Sequence, residues 1–369
     1  GIIGILMPCM NLRIPGPTPL PPEVIQALTT PMISHRGSEY IALHNETVVM
    51  VKQFFQTNND LFLFTCSGTG MMEAAIVNTL SPGDKVLGVT IGMFGDRFVK
   101  VAKAMGLDVT VLSFPMGQAA DPVKVAEAYK SISDCKAVII THNETSTAIT
   151  NDLAAITSAV RKYGDPLFLV DSVSGLGNLD LPVDALKLDV VFTSSQKAWM
   201  TPPGLSMVSV SDKAWKAYES AKCHKYYFDF AKMKKYNDKD QTPETPAVST
   251  VFALNAALKL MMKRGVKETF AYYSDMSAYT RKKLVDNGFV LFGDQSHASN
   301  TVSACLVPEG VEDKAYRALI KKKYGVILSG GKGDAEGKII RVAHMGWVTK
   351  ADIDEVVSAM DSARKDLTS

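Results

Sequence analysis

Short, densely apolar runs alternate with longer stretches in which apolar residues recur at helical spacing, and this alternation organises about two-thirds of the chain. Pro15, Pro17, Pro19, Pro21 and Pro22 force an extended lead-in, because each proline biases its predecessor away from the helix. Residues 23–30 then read as a short helix, and apolar positions from 47 to 55 keep helical spacing. An apolar strand over 61–64 leads into Ser67, Gly68, Thr69 and Gly70 and a helix over 71–80. The pattern continues as strand 85–89, helix 98–104, strand 108–112, helix 122–129, strand 137–141, helix 152–162 and strand 167–170. Short buried strands alternating with helices predict an α/β fold with a mostly parallel sheet covered on both faces. Two further strands, 190–193 and 206–210, are joined by a link too short for a helical crossover, so the second is expected to run antiparallel. The pattern breaks over 226–240 into a polar stretch rich in Lys and Tyr. A long helix, 249–264, then leads to a small C-terminal α+β domain. The expected organisation is an N-terminal arm over 1–17, a large domain over 18–255 and a small domain over 256–369.

Composition narrows the function. The 369 residues are 46% hydrophobic and 21% charged, with 40 basic against 38 acidic residues. That is the make-up of an ordinary globular chain and not the concentrated basic surface of a nucleic-acid binder. Cys9, Cys66, Cys135, Cys223 and Cys305 are scattered, odd in number and without a CxxC pair, so neither a disulfide framework nor a zinc site is indicated and no metal is expected. A reducing, cytoplasmic setting fits. The apolar opening from Gly1 to Met10 is too short for a membrane span and lacks the flanks of a signal peptide, so no membrane association is expected and it reads as part of the arm.

In open α/β sheets ligands bind beyond the carboxyl ends of the strands. After the first strand, Ser67, Gly68 and Thr69 offer free amides, hydroxyls and a helix N-terminus to a phosphate, although such turns use glycine for steric reasons about as often. After the second, Phe94 stands between Gly92 and Gly95, either packing on the surface or stacking on a planar ligand. His142, Asn143, Glu144, Thr145, Ser146 and Thr147 follow the strand ending at Thr141 and could simply cap the next helix. Asp171 ends a buried strand, where an unpaired carboxylate would be costly. Lys197 follows another strand end and, taken alone, would read as a surface charge.

Together these features match what pyridoxal 5'-phosphate (PLP) requires: amides for its phosphate, a flat neighbour for its ring, a carboxylate for its pyridine nitrogen and an amine for its aldehyde. The sequence also resembles class V aminotransferases of the alanine–glyoxylate and serine–glyoxylate (serine–pyruvate) group, from about Leu12 to the C-terminal helix. The likeness rests on five ordered motifs: the stretch from Leu12 to Pro19; Ser67 to Gly70 with Glu73, Ala74 and Ala75; Asp171 to Ser174; Ser195, Gln196, Lys197 and Ala198 with Pro202, Pro203 and Gly204; and Arg341 to Gly346.

This resemblance implies PLP fold type I, with Lys197 carrying the cofactor as a Schiff base and Asp171 holding the pyridine nitrogen. It places Ser67, Gly68, Thr69 and Gln196 on the phosphate, Phe94 on the outer ring face, Val173 on the inner face and Ser146 near the ring 3-hydroxyl. Thr242 would reach the phosphate of the partner subunit in a homodimer with shared active sites. Arg341 would clamp the substrate carboxylate, with Gly16 lining the same pocket and His35 and Arg36 nearby. The implied reaction is ping-pong transamination of a small amino acid of the alanine, serine or aspartate type with glyoxylate or pyruvate. Three positions, Phe94, Asn143 and Trp199, depart from common relatives. A lyase of the cysteine-desulfurase or kynureninase type is the alternative, disfavoured because the stacking position is Phe94 and Cys305 lies in an apolar run. A non-catalytic assembly subunit would be expected to have lost Lys197, Asp171 or Arg341, and all three are present.

Overall fold

The computed structural model describes residues 9–369, so most of the stretch from Gly1 to Met10 lies outside the described residues. Seven strands form the main sheet: β1 (Asp60–Phe64), β2 (Lys85–Thr90), β3 (Asp108–Ser113), β4 (Ala137–Thr141), β5 (Leu167–Asp171), β6 (Val190–Ser194) and β7 (Ser206–Val210). Their spatial order is β1-β7-β6-β5-β4-β2-β3. The expected antiparallel strand is β7, paired antiparallel to both β1 and β6, while β3, β2, β4, β5 and β6 pair in parallel.

Successive residues of each strand face opposite sides of the sheet and enter two separate cores. Leu61, Leu63, Val138, Ile140, Phe168 and Val170 join the core beneath α1 (Pro22–Ala27), α2 (Ser38–Phe55) and α9 (Val248–Arg264). Phe62, Phe64, Ala137, Ile139, Leu167 and Leu169 join the core beneath α3 (Gly68–Val77) and α4 (Met93–Ala104). Both faces are therefore covered, which explains why the central strands are apolar up to their last residues, Thr141 and Asp171, rather than alternating. On the first face α5 (Pro122–Ser131) and α6 (Leu153–Arg161) pack side by side.

Several elements differ from the sequence expectation. Helices α3 and α4 begin earlier than the periodicity suggests, at Gly68 and Met93, so the Gly-rich turn and Phe94 belong to first helical turns instead of preceding loops. The polar stretch 226–240 contains α8 (Phe230–Asn237), preceded by α7 (Asp212–Tyr218). Its N-cap Asp229 accepts from Ala231 N, and only Phe230 and Met233 are buried, a footprint too small to register as periodicity among lysines.

Gly265, at φ 104°, turns the chain from α9 into α10 (Val266–Asp286); a side chain there would be strained in that backbone region. Beyond it, β8 (Val302–Leu306), β9 (Ser329–Gly330) and β10 (Ile339–Ala343) form an antiparallel sheet in the order β8-β10-β9. A separate core packs it with α10, α11 (Asp313–Tyr324) and α12 (Lys350–Thr368). The arm ties the two halves together. Asn11–Leu12 pairs in parallel with Val326–Ile327, Arg13 donates to Trp347 O at 3.0 Å, and Thr18 Oγ1 donates to Lys197 O at 2.9 Å.

Candidate active site

The chain leaves β2 outward to β3 and returns through β4 on the other side, so the carboxyl ends of β2 and β4 frame a topological switch point. The segments beyond those ends carry Phe94, in the first turn of α4, and residues 142–147. Although β1 lies at the sheet edge, α3 packs across β5, β6 and β7, which carries its N-terminus to the centre. A cavity of about 160 Å³ opens there.

No side chain caps the start of α3: Ser67 is the N-cap residue but makes no capping hydrogen bond. The Gly68 and Thr69 amides are thus left to a ligand at the positive end of a helix. Gly68 has to be glycine, because a Cβ would sit 2.8 Å from both Ser194 Oγ and Val173 Cγ2. Gln196 lines the same wall, and its buried Oε1 has no partner. Rotating the terminal amide would present its NH2 to an anion.

Helix α4 is capped from outside. Glu144 Oε1 accepts from Phe94 N at 3.0 Å and Gly95 N at 3.1 Å, and its Oε2 accepts from Ser146 Oγ at 2.8 Å. Gly92 admits this carboxylate, since a Cβ would lie 2.6 Å from Glu144 Cγ and 2.5 Å from Ser146 Oγ. The polar cluster after Thr141 therefore does cap a helix, but a spatially adjacent one; Asp152 caps its own helix through Ala155 N. Burial pushes the Glu144 carboxyl up, against the pull of these donors. Ser146 is committed to Glu144 and to Met93 N at 3.1 Å, and it does not line the cavity. Its neighbours Asn143 and Thr145 do.

Asp171 and Lys197 face the cavity from adjacent strand ends. Burial pushes the Asp171 carboxyl up to about 7, against the Val173 N–H that donates to it at 2.9 Å. Burial also pushes Lys197 down to about 8; Asp171 opposes this, while Arg341 and Arg97 reinforce it. Each feels the other's charge, yet no ion pair joins them among the described residues, which leaves room for an intervening group. Lys197 Nζ donates instead to the Pro15 carbonyl. Gly16 lies directly against it, and a Cβ there would fall 2.5 Å from Nζ.

Arg341, in β10, is buried and donates to Gly330 O at 2.8 Å through Nε and to Thr145 O at 3.0 Å through Nη1. Burial lowers its pKa to about 10, and among the described residues no carboxylate forms an ion pair with it. Thr242 lies outside this cavity, its hydroxyl donating to Glu244 O at 2.6 Å. Arg36 braces that loop, reaching Gln241 Oε1 at 2.9 Å, Thr242 O at 2.7 Å and Pro243 O at 3.0 Å, and His35 does not line the cavity. Trp199 is a core residue bonded to Thr193 Oγ1 at 2.9 Å. Cys305 is fully buried and its thiol is pushed up to about 12, the opposite of what a nucleophile needs.

Arg97 and Glu144 stand out among the contributors that the sequence did not point to. Arg97 lines the cavity three residues after Phe94, a spacing that would have revealed it had α4 been started at Met93. Glu144 looked like one more polar residue in a loop.

The parts fit PLP: an uncapped helix N-terminus for phosphate, Phe94 and Val173 as apolar ring neighbours, and a separated carboxylate and amine for the ring nitrogen and aldehyde. Fold and cavity together define a PLP-dependent enzyme of fold type I. The family model described as aminotransferase class V matches residues 10–356, and the chain belongs to that family. It is a PLP-dependent aminotransferase.

Among curated relatives it is 42% identical to a protein named soluble hydrogenase 42 kDa subunit from Anabaena cylindrica, covering 95% of this chain and 92% of that one. It is 34% identical to an L-aspartate–glyoxylate aminotransferase from Paracoccus denitrificans, covering 92% and 87%. A solved alanine–glyoxylate aminotransferase from Nostoc sp. superposes with a TM-score of 0.93 at 28% identity, covering 99% of this chain and 97% of that one.

Proposed function

We propose that the enzyme transfers the amino group of a small amino acid, of the alanine, serine or aspartate type, to glyoxylate or pyruvate by a ping-pong route. The observation that carries this reading is Arg341, a buried guanidinium that forms no ion pair among the described residues and whose charge is felt at Lys197. A 2-amino or 2-oxo acid brings the carboxylate this guanidinium needs, and its Cα then stands near Lys197. Relatives named for aspartate and alanine donors with glyoxylate support the substrate class.

Bound PLP supplies an aldehyde to take up the amine and a cationic ring to receive the electron pair of Cα. Asp171 would keep that ring nitrogen protonated, Phe94 and Val173 would hold the ring flat, and Ser67, Gly68, Thr69 and Gln196 would anchor the phosphate. With the cofactor bound, Lys197 Nζ, its pKa already lowered, would serve as the base that takes the proton from the substrate Cα and as the acid that gives it back. Arg341 fixes the carboxylate so that the Cα–H bond points at Nζ. The keto acid then runs the same sequence backwards.

Thr242, outside the cavity of its own subunit, supports a homodimer in which that loop completes the partner's site. Five unpaired cysteines accord with a reducing cytoplasm. The lyase alternative lacks a reactive thiol at Cys305. A screen of alanine, serine and aspartate against glyoxylate and pyruvate tests the assignment. Turnover of at least one donor with glyoxylate is expected, and release of sulfide or alanine from cysteine without a keto acid would overturn it.

A further inference from the structure

The groups assigned above to the cofactor phosphate, Ser67, Gly68, Thr69, Gln196 and Thr242, are all uncharged. A phosphate monoester carries about 1.5 to 2 negative charges at pH 7, and a helix N-terminus offsets only about half a charge. A cation beside these groups would balance the rest. Of the two basic side chains on the cavity wall, Lys197 is reserved for the aldehyde, which leaves Arg97.

Its position suits the task. Arg97 follows Phe94 by nearly one turn of α4, and its Nη1 lies 3.4 Å from Thr69 Oγ1 in the phosphate turn. Its guanidinium carbon sits 5.0 Å from the centre of the Phe94 ring, a cation–π contact that restrains the side chain on the cavity side. No carboxylate pairs with it among the described residues. Its charge also reaches Lys197, acting towards a lower pKa there.

We propose that Arg97 is the charged phosphate ligand of PLP in this enzyme, held in place by Phe94 and directed by Thr69. The proposal rests on the cofactor assignment above. One helix turn then serves two functions: Phe94 faces the ring, and Arg97, resting on that same residue, faces the phosphate. Substituting Arg97 should therefore affect the phosphate end of the cofactor and spare the ring end.

The apoenzyme of wild type, Arg97→Gln and Arg97→Lys would be titrated separately with PLP and with pyridoxal, which lacks the phosphate, following absorbance and tryptophan fluorescence. Arg97 is exposed at the cavity mouth, so neither change threatens the core. Arg97→Gln is expected to weaken PLP roughly 10- to 100-fold, the range for one charged hydrogen-bonding partner. Pyridoxal affinity should stay within about twofold, as for a surface substitution. Arg97→Lys should fall between wild type and Arg97→Gln, because it keeps the charge without the fork.

An equal loss for both ligands would overturn the proposal and assign Arg97 to the ring face through Phe94. Unchanged PLP affinity, with a raised KM confined to dicarboxylic donors, would overturn it by placing the guanidinium on the substrate. If wild type itself bound no PLP, the cofactor assignment would fall as well.

Discussion

Replacing Asp171 with Asn should stabilise the apoenzyme while weakening its hold on the cofactor. In the folded chain burial raises this carboxyl from its ordinary value of 3.8 to about 7. Below about pH 3.8 it is protonated whether folded or unfolded and has no effect. As pH climbs from 3.8 to about 7 the unfolded chain ionises first, so native stability declines across that window, and above it the full cost applies. At about 1.4 kcal/mol per pH unit the cost is a little over 4 kcal/mol at pH 8. Asn keeps an acceptor for the Val173 N–H and removes the charge. Lys197 loses an attractive neighbour in the exchange, which reduces the net gain to about 2–4 kcal/mol. Spread over 369 residues at about 2 cal/mol/K each, that corresponds to a rise in Tm of roughly 3–5 °C. Scanning calorimetry of both apoproteins at pH 8 and pH 5.5 tests this, with the gap expected to shrink to about half at the lower pH. Added PLP should then raise the wild-type Tm more than that of the variant, because only the wild type offers a carboxylate to the ring nitrogen. An apo variant no more stable than wild type at pH 8, or a gap independent of pH, would refute the claim that Asp171 is an unpaired buried charge awaiting its cofactor.

Lys197→Ala should abolish steady-state transamination without lowering the apoprotein Tm, since burial already disfavours the charged amine; normal turnover without added amine would remove Lys197 from the chemistry. Arg341→Lys keeps the charge but loses the planar fork and the paired bonds to Gly330 and Thr145, a loss of about 2–3 kcal/mol. The efficiency kcat/KM for the best donor should fall roughly 30- to 150-fold with PLP affinity nearly unchanged, and unchanged efficiency would place the carboxylate clamp elsewhere. Arg36→Ala frees the 241–243 loop and should weaken PLP retention roughly fivefold, more so at low protein concentration. A fully active monomer in sedimentation at assay concentration would contradict the shared site.

The alternation of strands and helices, the antiparallel β7 and the chemistry at the strand ends were legible in the chain, because hydrophobic period and strand-end position are local properties. So was the placement of Lys197 and Asp171 at strand ends, which the fold brings to one cavity. Helix starts were less legible. The periodicity of α4 begins only at Phe98, while its first turn is held by Glu144, a donor-accepting carboxylate from another loop about fifty positions away. Nothing within 92–98 signals that support, so Phe94 read as a loop residue and Arg97 was passed over.

Position within the 142–147 loop was likewise decided by packing. Ser146 and Thr145 are adjacent and chemically similar, but Glu144 and Met93 take the Ser146 hydroxyl, and Thr145 is left to face the cavity. By itself the sequence determined the layered α/β plan and the strand-end positions of Asp171 and Lys197, since each depends on one residue's chemistry or on a short repeat. Only the tertiary structure decided that Asp171 and Lys197 reach one cavity, that among the described residues neither pairs with the other and no carboxylate forms an ion pair with Arg341, and that α4 is capped from outside. Those are distances between elements far apart in the chain, set by how the sheet and the small domain pack around the cavity.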